Sequence, residues 1–425
     1  MNSLIKHGAI RVSKNKKYLE YEDGTPFFWL ADTWWYGMTK RTRWEDFETL
    51  VQDRKKKGFT VIQTVVGVPP EVDIFSPQAG NSGGLPFIKR FSVIPNLFRD
   101  LNSKKQMLNQ VQHDNIDLNL KYFIEVDKKI KYLVDNDLVP CIFGAWGHHI
   151  DILGVDLIKK WWGEIVRRYA KYPVVWCLTG EADIFLSAYS FNNSFIKKMI
   201  SYLPNNLKQL IMSFRIPIFI GINFVRNLAK RIYLKKTLTL DSSIATLPRN
   251  DIIINNKIRQ RVKKWDEVAR YIKKIDKFNR LLTVHIHSRT TASQLFGDPD
   301  WLDIDSIQSG HSKDSLEFMK NSISQTDKRK RPIINLEPWY EGILGNFWVK
   351  DQLLAFWACI KAGVAGHSYG THGIWQMATS EDNFMGHWGR SDWKKAIKYS
   401  GAEAIGKAKK KLERNWPIIL KSDLV

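Results

Sequence analysis

The chain has 425 residues, 44% of them hydrophobic and 12% aromatic, and a formal net charge of +22. That apolar content excludes a disordered chain and is enough for one elaborated domain or two ordinary ones. Cys141, Cys177 and Cys359 stand in apolar stretches without metal-ligand spacing, so they read as buried thiols and no disulfide framework is inferred. No apolar h-region opens the sequence and no run of eighteen apolar residues occurs, so neither a signal peptide nor a transmembrane span is read and a cytoplasmic protein is the default.

Strand and helix patterns alternate along the chain. "FFWLAD" (27–32) precedes a helical pattern near 43–57, and "FTVIQTVV" (59–66) precedes one over 119–136. "LVPCIFGAW" (138–146) leads into "VDLIKKWWGEIVRRYA", with Leu157, Trp161, Ile165 and Val166 on its apolar side. "VVWCLTGE" (174–181) has a helix near 257–277, and "LLTVHIHS" (281–288) comes next. "WLDIDSIQSGH" (301–311), "PIINLEPWYEG" (332–342) and "VAGHSYGTHGIW" (364–375) follow, with helices at "SLEFMKNSIS", "KDQLLAFWACIKAG" and 392–412. Apolar runs without period-two alternation are strands covered on both faces. Eight of them in alternation with helices predict a closed (β/α)8 barrel, with an open doubly wound sheet as the lesser option because no GxGxxG turn follows any strand.

Two segments break the rhythm of this single domain, one after strand two and a longer one after strand four. Residues 90–115 are rich in Asn, Gln and Lys without a period, and resemble translated palindromic repeats inserted into bacterial reading frames; a surface excursion is expected. Residues 188–252 carry an apolar stretch from Ile216 to Val225 that is too short to span a bilayer. Between Lys197 and Lys264 stand fifteen Lys or Arg against Asp241 and Asp251. A basic subdomain covering the barrel is expected there, suited to peripheral contact with an anionic surface. No nucleic-acid motif accompanies it, so no specific nucleic acid is expected.

In such a barrel the active face is built at the C-terminal ends of the strands, here Asp32, Gln63, Trp146, His148, Glu181, His285, His287, Gln308, Glu337, Tyr369 and His372. Two of these are glutamates, on strands four and seven, which face each other across eight strands. A pair of carboxyl groups about 5 to 5.5 Å apart is what a retaining glycosidase uses, one attacking the anomeric carbon and the other serving as acid and then base. The acid needs an apolar wall to raise its pKa, for which Trp176 and Trp339 are candidates. Asp32 is a candidate for substrate hydroxyls, with bonding to nearby backbone as its plainer role. Trp34, Trp35, Trp339 and Trp375 offer faces for sugar rings, with core packing as the alternative. Adjacent His148 and His149 cannot both point inward from a regular strand, so no metal is expected, and no cofactor motif is present. Glu341 reads as a loop partner.

"DGTPFFWLADTWWYG", "GFTVIQTVV", "VVWCLTGEAD", "WLDIDSIQSGH", "PIINLEPWYEG" and "GHSYGTHGIW", in this order from about residue 15 to 415, resemble the apiosidase-like barrel glycosidases, similar to glycoside hydrolase family 140 and its relatives. The resemblance implies a (β/α)8 barrel that cleaves glycosidic bonds in an oligo- or polysaccharide with two carboxylates, Glu181 in "LTGEAD" as the acid/base and Glu337 in "NLEPWYEG" as the nucleophile. Two other classes stay open at this stage: a catalytically impaired carbohydrate-binding barrel, and a protein acting on an anionic surface through its basic segment.

Overall fold

The computed structural model describes residues 7–89, 116–184, 247–324, 330–382 and 384–413. The expected excursion at 90–115 and residues 188–246 of the basic segment lie outside them. Eight parallel strands carry the architecture: β1 (Trp29–Trp34), β2 (Val61–Val65), β3 (Val139–Phe143), β4 (Val175–Cys177), β5 (Leu282–Thr283), β6 (Asp305–Gln308), β7 (Ile333–Glu337) and β8 (Gly366–Tyr369). Six pair in the order β5-β4-β3-β2-β1-β8, and β6 pairs with β7. At one seam the Asp303 N–H donates to the Leu282 carbonyl at 2.9 Å, and at the other the Ala365 N–H donates to the Ile333 carbonyl at 2.9 Å. The eight strands therefore ring one core as a (β/α)8 barrel. Every residue of these strands is buried, as the unalternating apolar runs require.

Helices α1 (Trp44–Lys56), α2 (Tyr122–Asp135), α3 (His149–Tyr169), α4 (Leu247–Ile275), α5 (Ala292–Phe296), α6 (Ser315–Ser324), α7 (Val349–Lys361) and α8 (Ser400–Glu413) follow their strands in turn. The helix after β5 has only five residues, too few to leave a periodic signature. It is fixed instead by a capping box, in which Thr291 and Gln294 each bond the other's backbone N–H. Helix α4 begins ten residues before the expected 257, inside the basic segment. No helix among the described residues is long and apolar enough to cross a membrane.

Two local features decide which side chains reach the barrel mouth. On β1 the inward phase belongs to Thr33, whose hydroxyl meets the Gln63 amide at 3.0 Å inside the barrel. Asp32 and Trp34 thus face outward, where Arg54 of α1 donates to Asp32 Oδ2 at 2.6 Å and the Trp34 ring meets Phe47 edge-on. On β7 the register against β6 slips: Ile307 lies opposite Asn335, but Gln308 lies opposite Glu337, skipping Leu336. Asn335 points toward α7, with its amide on the Cys359 sulfur. Strict alternation would send Glu337 the same way; the bulge turns it into the mouth beside Gln308.

Candidate active site

Glu181 and Glu337 come together at the C-terminal mouth, 6% and 7% exposed, so both are shielded from bulk water yet reachable. The Glu181 backbone adopts φ +46°, a left-handed conformation costly for a residue with a Cβ and characteristic of functional turns. The turn is held by the β5 exit: Ala182 N–H donates to the His285 carbonyl at 2.9 Å, and Asp183 accepts the His287 and Ser288 N–H groups at 2.6 and 3.0 Å. Glycine is required on both sides of it, since a Cβ at Gly180 would stand 2.2 Å from the Trp146 ring and one at Gly147 2.1 Å from the Glu181 carbonyl oxygen. That closeness lets the Trp146 indole N–H donate to Glu181 Oε2 at 2.9 Å. Trp35 packs edge-on against Trp146 at 5.3 Å, completing the aromatic wall beside the carboxylate.

Glu337 accepts from Gln308 and His311, with a second imidazole close by. Glu181 N–H donates to His285 Nδ1 at 3.1 Å and Tyr340 N–H to His311 Nδ1 at 3.4 Å. Each imidazole therefore carries its proton on Nε2; that of His311 bonds Glu337 at 3.2 Å, whereas that of His285 lies 3.5 Å away without hydrogen-bond geometry. Burial alone would raise the Glu337 pKa, but the His311 hydrogen bond, the two imidazoles and the Tyr340 hydroxyl outweigh it and hold the carboxyl well below the usual carboxylate range. Burial pushes His285 down, and His148 down to about 3, so neither ring is charged near neutrality. The Gln308 amide nitrogen lies 3.1 Å from Glu181 Oε1 and 3.0 Å from Glu337 Oε1. Those two oxygens are consequently no more than about 6 Å apart.

The other expected residues divide into three groups. Trp146, His148 and His287 are at the mouth around Glu181, the His148 ring against His149 at 4.2 Å. Trp339 lies on the β7 loop but stacks its face on Phe347 at 4.7 Å, and Trp375 packs behind Tyr340 at 6.3 Å. His372 is taken up by its own loop, through the Gly389 carbonyl at 2.9 Å and the Gln376 amide at 3.1 Å. Five expectations are corrected. Asp32 and Trp34 face α1, and Tyr369, on the same outward phase, gives its hydroxyl to Glu341. Glu341 also accepts the Gly401 N–H in the first turn of α8 at 3.0 Å. Gln63 is inside the barrel but below the mouth, its amide donating to the Leu336 carbonyl at the bulge, 3.0 Å away. Trp176, expected as a wall for the acid, turns outward to Trp162 and Asp276.

His311, Tyr340 and Trp388 were not selected from the sequence. Trp388 is partly exposed, meets the His311 ring at 6.0 Å and is fixed by its indole N–H on Glu71 at 2.7 Å. All three follow strand exits by three residues or more, on loops without periodicity; His311 and Tyr340 could have been sought three residues beyond Gln308 and Glu337. Among the described residues no group of three or more His, Cys, Asp or Glu side chains is arranged to hold a metal ion.

Two carboxylates facing across the mouth of a (β/α)8 barrel, walled by indoles, define the class as a barrel glycoside hydrolase. Residues 13–417 match the family described as apiosidase-like, catalytic domain, and the chain belongs to that family. Among solved structures it is similar to a protein described as a glycoside hydrolase, with 20% identity, 96% of this chain and 75% of that one covered, and a TM-score of 0.61. A glycoside hydrolase family 5 protein from Bacteroides vulgatus gives 21% identity over 96% of this chain and 72% of that one, at a TM-score of 0.60. At these identities the likeness is one of fold. No curated protein matches the chain.

Proposed function

We propose that the protein hydrolyses a glycosidic bond in an oligo- or polysaccharide with retention of configuration, Glu337 acting as nucleophile and Glu181 as acid and base. The observation that carries this reading is the shared Gln308 nitrogen, which holds one oxygen of each carboxyl group within about 6 Å of the other, in keeping with the spacing of about 5 to 5.5 Å of a retaining pair. The roles follow from the surroundings. Glu337, bonded by the Gln308 amide and the His311 Nε2–H, is ionised and suited to attack the anomeric carbon as the glycosidic C–O bond breaks. Glu181, beside Trp146 and Trp35, gives its proton to the departing oxygen. In the second step Glu181 takes a proton from water, whose oxygen attacks the anomeric carbon and releases Glu337 from the ester.

The test is hydrolysis of a panel of aryl glycosides and plant and bacterial oligosaccharides by the wild type, Glu181→Gln and Glu337→Gln, with the first-formed anomer read by proton NMR. Retention is expected, with kcat reduced about 10³-fold or more by either substitution on an oligosaccharide. An inverted first product, or undiminished turnover by both variants, would overturn the assignment.

A further inference from the structure

The Gln308 side chain is buried at the end of β6, opposite Glu337 in the register. An amide nitrogen carries two protons, and this one is within hydrogen-bonding distance of both carboxylates, so each receives one. Turning the amide over would put a carbonyl oxygen against two carboxylate oxygens, which electrostatics disfavours. Trp146 donates to Glu181 and His311 to Glu337, but Gln308 serves both.

We propose that Gln308 is a positioning residue that couples the protonation of Glu181 and Glu337 through one shared amide. The inference rests on the two-carboxylate reading above. Before glycosyl transfer the charge is on Glu337 and the proton on Glu181; afterwards Glu337 is a neutral ester and Glu181 carries the charge. A hydrogen bond to an ionised acceptor is about twice as strong as one to a neutral acceptor. One N–H per carboxylate lets the stronger bond pass from Glu337 to Glu181 as the charge does, without any side chain moving. The other titratable groups acting on Glu337 are His285 at the β5 exit, His311 past β6 and Tyr340 past β7, while Asp183 and His287 act on His285.

Gln308→Met keeps the length of the side chain and removes both donors. Removing a donor from an anion raises its pKa, so both limbs of the pH profile of kcat/KM are expected to move upward by about one unit. A loss of about 10²-fold in kcat/KM at the optimum should accompany this shift. Lost activity with both limbs in place would mean that Gln308 only fills space, and wild-type activity would mean that it does nothing; either result overturns the proposal. If Gln308→Met does not fold, Gln308→Asn, one methylene too short to reach both carboxylates, is judged by the same limbs. Glu181→Gln and Glu337→Gln separate the two levels: if both turn over normally, the carboxylate reading has failed, whereas inactive glutamine variants with unmoved limbs in the Gln308 variant sink the coupling alone.

Discussion

The tautomers of two histidines decide the charge of the proposed nucleophile. Backbone N–H groups occupy Nδ1 of His285 and His311, which turns Nε2–H of each toward Glu337, His311 bonding it and His285 standing beside it at 3.5 Å. Because the folded pKa of Glu337 is depressed, its ionisation contributes stability above the ordinary glutamate range, and that contribution disappears as pH falls through the lower folded value. The acid limb of activity should accordingly lie below the ordinary glutamate range. His311→Ala is expected to move it upward while leaving the alkaline limb in place, which a kcat/KM profile measures directly. Glu181 and Glu337 were legible in the sequence because each ends an apolar run, where a carboxylate is costly unless it is used. Asp32, Trp34 and Tyr369 were misplaced for a related reason: a strand apolar on both faces has no alternation from which to read its phase.

At the scale of elements, the alternation of strands and helices was readable, and the bulge in β7 was not. Nothing in "PIINLEPW" marks Leu336 as the skipped residue; its effect is felt only when β6 lies alongside. The same slip explains why Gln63, a strand-exit residue in the sequence, supports the site from below. Its amide takes the Leu336 carbonyl at 3.0 Å and holds the strand that aims Glu337. Gln63→Leu leaves that buried acceptor unpaired, at an expected cost of about 1 to 3 kcal/mol. The melting temperature and kcat should fall together, and a lower melting temperature at full kcat would show that the bulge keeps its shape without Gln63.

The whole molecule is strongly basic, with a net charge of +22, and the excess is densest between Lys197 and Lys264. On that ground the chain is expected to sediment with vesicles rich in anionic lipid at about 50 mM salt and to be released by several hundred millimolar, as screening shortens the reach of its charges. Sedimentation unchanged by salt would point to another mode of contact. Stability belongs to this scale as well. The left-handed backbone at Glu181 costs about 1 kcal/mol. Glu181→Asn, which tolerates that conformation, is expected to melt above the wild type by calorimetry while losing turnover. A lower melting temperature would mean that the bonds from Trp146 and Gln308 outweigh the strain. A population screened for heat resistance alone would then drift toward dead enzyme, because catalysis and endurance compete for the same residue.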